Sequence, residues 1–140
     1  MFFMCGAPIF WASRRQKVVS ISSCEAEYYA MSEMAIEAQY FLQIFKGIFE
    51  KVKSIIAYVD SEPARRIASG DASLRKVKHI ETRYHYVRDM VLDKQLELRW
   101  ITKDENLADI LTKAMDNKRL FTFLRDKFLV VTPVTTGDSN

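Results

Sequence analysis

The stretch from Ser22 to Phe45 constrains the fold more than any other part of the chain. Ser22-Ser23-Cys24-Glu25 reads as a capping box: the Ser22 hydroxyl receives a backbone N–H, and Glu25 reaches back from the third helical position. Behind it, Met31, Met34, Ala38, Phe41, Leu42 and Phe45 recur at steps of three and four, which predicts one apolar stripe on a long helix. Gly47 is the expected stop. A stripe of that length must lie on another element.

The sequence offers the partners. Ser54–Val59 is a short apolar run rich in β-formers and predicts a buried strand ending in Asp60. Pro63 suits the first turn of a short helix and Gly70 its end. A second long helix is predicted from Lys78 to Asp93, with Ile80, Tyr84, Val87 and Val91 facing inward. Leu96–Ile101 alternates as a strand does. Asn106 can cap a short helix through Lys113, and Asp116 a last helix through Phe128. Upstream, Ile9–Ser13 and Lys17–Ile21 are β-like runs joined by Arg14-Arg15-Gln16, which predicts a hairpin. The polar residues Thr132–Asn140 predict a disordered tail. The reading is one α/β domain over residues 1–131.

Composition removes several function classes. Of 140 residues, 49% are hydrophobic, enough for a core, but charges interrupt every apolar run, so no membrane span is expected. The apolar start, Met1–Phe10, lacks a basic leader and contains Pro8, so it reads as strand rather than signal peptide. Cys5 and Cys24 make no disulfide framework and fit a reducing, intracellular setting. A net charge of +3 permits a nucleic-acid partner without demanding one. With only 4 glycines there is no phosphate-cradling loop, and His79 and His85 are too poorly phased to share a metal.

Three acids stand where chemistry could use them. Helical steps from Glu27 lead to Met31, Met34, Ala38, Phe41 and Phe45, so Glu27 is expected to head the apolar stripe, where a carboxylate needs a compensating partner such as a metal ion. The alternative is a first-turn acid favoured by the helix dipole. Asp60 follows a strand, where α/β folds gather functional groups, or else caps the next helix. Asp109 opens a late helix, with the same dipole alternative. Together the three supply hard oxygen ligands of the kind Mg²⁺ takes, and carboxylate clusters holding two such ions hydrolyse phosphodiesters. Lys76, His79 and Arg83 fall at steps of three and four on the second long helix, with Arg75 and Lys78 extending the row. That basic stripe is either a phosphate-contacting face or a solvated one.

Three segments then resemble one family. Trp11-Ala-Ser-Arg-Arg-Gln-Lys with Val-Val-Ser-Ile-Ser-Ser-Cys-Glu-Ala-Glu-Tyr-Tyr-Ala is similar to a stretch of the ribonuclease H domain that closes the pol region of copia-type retrotransposon polyproteins. Lys78-His79-Ile80 with Arg83–Arg88, and Asn106–Lys113, resemble its second and third motifs, so the likeness runs from about Gly6 to Leu129. The resemblance implies a ribonuclease H-like mixed sheet flanked by helices, and cleavage of the RNA strand of RNA/DNA hybrids during reverse transcription. It implies two Mg²⁺ ions, with Glu27, Asp60 and Asp109 as metal-holding catalytic acids, and hybrid contacts from Lys76, Lys78, His79 and Arg83. The implied partners are the hybrid and the reverse transcriptase domain of the same polyprotein, with no membrane. The implied location is cytoplasmic, in a virus-like particle, or nuclear.

This sequence departs from the family pattern in three places. No acid precedes Glu25, so the expectation is a domain without the first, central strand and its Asp, and so inactive alone. Asp60-Ser61-Glu62 stands where family members usually carry Asp-Asn-Gln, and the loop Thr102–Glu105 holds no His.

Overall fold

The computed structural model describes residues 1–16, 19–20, 22–70, 81–112, 114–127 and 129. It is a mixed α/β structure, and the chain groups into two compact units: residues 16–102, and residues 1–15 with 103–140.

The larger unit is organised by its first helix, α1 (Ser23–Ile48). Ser22 caps it as the sequence predicts, its hydroxyl accepting the Glu25 N–H at 3.1 Å. The helix runs three residues past Phe45, because Gly47 stays helical and Phe49 forms the C-cap. The buried seam is Tyr28, Met31, Ser32, Ala35, Ala38 and Leu42, with Met34, Phe41 and Phe45 half-buried beside it. It is therefore rotated by about one position from the predicted stripe. Small residues at Ser32, Ala35 and Ala38 allow neighbouring elements to approach closely, and the larger side chains flank the contact.

With β1 (Phe2–Met4) and β2 (Ala7–Phe10) in the other unit, the strand that follows α1 is β3 (Ile55–Val59). It pairs in parallel with β4 (Leu96–Trp100), in a register that sets Ala57 opposite Leu98 and Val59 opposite Trp100. Between them come α2 (Glu62–Ala68) and α3 (Glu81–Leu92). α1 packs on α2, α3 and β3, while α2 and α3 both pack on β4. The enclosed side chains are Tyr28 and Leu42 from α1, Ala64 and Ala68 from α2, Val87 from α3 and Leu96 from β4. Full burial of each of the larger ones contributes about 1.5–3 kcal/mol. β3 is not the doubly buried strand the sequence predicts: only one face is covered, and Ile56 and Tyr58 project to solvent on the other.

Both helices of this crossover are followed by a left-handed residue. Gly70 follows α2 with φ +82°, as expected from the sequence. Lys94 takes the equivalent position after α3 at φ +55°, where the Gln95 N–H donates to Met90 O and the Lys94 N–H to Val91 O. Of the residues expected inside the second helix, Val87 is fully enclosed and Val91 half-buried. Ile80 and the Tyr84 side chain lie outside the described residues.

In the smaller unit, β1 (Phe2–Met4) and β2 (Ala7–Phe10) form an antiparallel hairpin. The predicted hairpin between Ile9–Ser13 and Lys17–Ile21 is corrected here. The turn is Cys5-Gly6, with φ +51° and +82°, and Arg14–Gln16 carries no strand turn. Two consecutive positive φ values match the twist of the flanking strands, and that local geometry overrides the apolar pattern. Lys17, Val18 and Ile21 lie outside the described residues. Among the described residues the strands form two two-stranded sheets, one in each unit. Further along come α4 (Asp109–Thr112) and α5 (Lys118–Asp126). Asn117 caps α5 rather than Asp116, accepting from the Arg119 and Leu120 N–H groups at 3.1 and 3.2 Å. The predicted tail lies outside the described residues.

Candidate metal centre and nucleic-acid face

Glu27 stands in the first turns of α1 and is exposed. The expectation that it heads the buried stripe is overturned. Tyr28, one residue on, is fully enclosed and leads the seam, which turns the Glu27 carboxylate about 100° away toward solvent. Its charge is still felt locally: burial pushes the Cys24 thiol up, and the nearby Glu27 carboxylate adds to that shift.

Asp60 directly follows β3 and is half-buried. The helix-capping alternative for Asp60 falls away, because Ser61 caps α2 through its hydroxyl, accepting from the Ala64 N–H at 3.4 Å. The neighbouring acid, Glu62, is engaged by Arg65, which donates two hydrogen bonds of 2.7 Å. Those hydrogen bonds hold the Glu62 carboxyl below the usual carboxylate range. Asp60 is left at the carboxyl end of a parallel strand, where α/β folds gather functional groups.

Asp109 is the first residue of α4 and is half-buried. Asn106 prepares that turn: its side-chain oxygen accepts from the Ala108 N–H at 3.1 Å and its carbonyl from the Asp109 N–H at 3.2 Å. Glu27 and Asp60 belong to the unit of residues 16–102, and Asp109 to the other. The three have the donor chemistry that Mg²⁺ takes. Among the described residues, however, no group of three His, Cys, Asp or Glu side chains is close enough to hold a metal ion.

Of the four predicted nucleic-acid contacts, Lys76, Lys78 and His79 lie outside the described residues. Arg83 is described, and it is committed within the protein. Its guanidinium lies 3.8 Å over the Tyr29 ring and donates to Glu33 Oε1 at 2.6 Å and to Ser32 Oγ at 3.3 Å. Ser32 in turn donates to the Tyr29 carbonyl at 2.7 Å. The sequence reading missed these partners. The available signal was a lone hydroxyl, Ser32, in the middle of an apolar stripe, since an enclosed polar side chain requires a hydrogen-bond partner.

With the geometry in place, known proteins supply the context. The chain is 34% identical over 119 residues, 85% of its length, to the retrovirus-related Pol polyprotein from transposon TNT 1-94 of Nicotiana tabacum. It is similar to one segment of a retrotransposon Pol polyprotein. The Pol polyproteins from transposons RE2 and RE1 of Arabidopsis thaliana match at 28% over 93% of the chain and 29% over 77%. The chain spans less than a tenth of the length of these curated relatives. No family model and no solved structure matches it. No helix among the described residues is long and apolar enough to cross a membrane.

Proposed function

We propose that this chain is a ribonuclease H-like domain of a copia-type Pol polyprotein, built to hydrolyse the RNA strand of RNA/DNA hybrids. The observation that carries the reading is Asp60, an acid at the carboxyl end of a parallel strand whose helix-capping duty is taken by Ser61. The Pol relatives and the three ordered motifs support it.

In this reading Glu27, Asp60 and Asp109 are the acids that hold Mg²⁺, and Lys76, Lys78 and His79 touch hybrid phosphates. Bound Mg²⁺ would supply an activated water and charge neutralisation at the scissile phosphate. The residues' own part is to fix carboxylate oxygens and to place the hybrid by shape rather than base sequence. The reverse transcriptase region of the same polyprotein is the proposed neighbour, in a cytoplasmic particle or in the nucleus. A second reading, a catalytically inactive form that at most binds nucleic acid or a partner, is favoured by the solvent-facing Glu27.

One assay separates the two. Mg²⁺-dependent hybrid cleavage is measured for the 140-residue chain and for the chain preceded by a β-strand bearing an Asp, taken from a complete copia-type domain. The expected result is cleavage by the extended form, abolished by Asp60→Asn. Cleavage by neither form would sink the enzyme reading. Robust cleavage by the chain alone, lost in Asp60→Asn, would establish the enzyme but refute the need for a fourth acid.

A further inference from the structure

We draw no further inference here: the strongest candidate, the open cleft between α1 and the end of α3 lined by Gln39, Tyr86, Asp89, Met90, Asp93 and Gln95, rests on two neighbouring carboxylates, and nothing in the structure points to a ligand that fills it.

Discussion

Between α1 and α3 the protein is sealed. Tyr28, Ala35, Ala38, Leu42 and Val87 are enclosed, and even the polar Ser32 is hydrogen-bonded to Tyr29 and Arg83. The β3–β4 pair is covered on one face only, and its other face carries Ile56, Tyr58 and a surface ion pair between Glu97 and Arg99 at 2.7 Å. Parallel strands are ordinarily covered on both faces. The contrast separates two duties: the seam holds the unit together, while the sheet holds Asp60 at a strand end at small cost to stability.

The sharpest way to break that contrast is to truncate one residue from each region. Leu42→Ala should lose about 2–5 kcal/mol of unfolding free energy, because it leaves a cavity in the seam. Tyr58→Ser should lose under about 0.5 kcal/mol, as an exposed substitution does. Urea titration followed by circular dichroism measures both, and equal losses would mean that the outer sheet face is covered in solution.

A smaller effect separates fastening from binding within the basic stripe. Arg83→Gln removes a partly exposed ion pair and a cation–π contact, and should cost roughly 1–2 kcal/mol. It should leave the salt dependence of RNA/DNA hybrid binding unchanged. Lys76→Gln should do the reverse, sparing stability and flattening the salt slope. A flattened slope in Arg83→Gln would return Arg83 to the phosphate-contacting set.

The two left-handed turns predict opposite signs. Lys94→Gly relieves φ +55° and should gain about 0.5–1 kcal/mol, whereas Gly70→Ala imposes a Cβ at φ +82° and should lose about 1–2 kcal/mol. In the second case the new methyl meets Arg88 at 3.5 Å, ordinary contact, so the loss comes from the backbone. Thermal melts of the two variants, moving in opposite directions, are the check.

The smallest effect is at Glu62. Arg65 lowers its folded-state pKa, so its contribution is present above the ordinary value of 4.5 and is lost as pH falls below it. Glu62→Gln should therefore lower stability slightly at neutral pH, flatten the acid limb of the stability–pH curve and leave stability at low pH unchanged. A loss of the same size at acid and neutral pH would contradict the assignment.

The legible parts of the sequence were those governed by local chemistry. Ser22 as a cap, Pro63 and Gly70 around α2, and the strands ending near Asp60 and Trp100 all follow from side chains acting on their own backbone. The seam of α1 was displaced because spacing cannot rank Glu27 against Tyr28, and the larger aromatic side chain took the enclosed position. The Cys5-Gly6 and Lys94 turns were hidden because neither Cys nor Lys favours positive φ. Of the candidate site, the strand-end location of Asp60 was readable. The engagement of Arg83 by Tyr29, Ser32 and Glu33 was not, since it joins helices about fifty positions apart.

The parallel pairing of β3 with β4 has a kinetic side. Two parallel neighbours cannot be joined by a tight turn, so this ladder forms only after α2 and α3 have been threaded between them. The β1–β2 hairpin, closed by a two-residue turn, has no such delay and belongs to the microsecond regime. Non-local pairing of this kind is the slow step in chains of similar size. Asp60 therefore reaches its position late in folding. In refolding experiments, Ala57→Gly in β3 should speed unfolding while leaving the folding rate nearly unchanged, whereas a destabilising change early in α1 should slow folding itself.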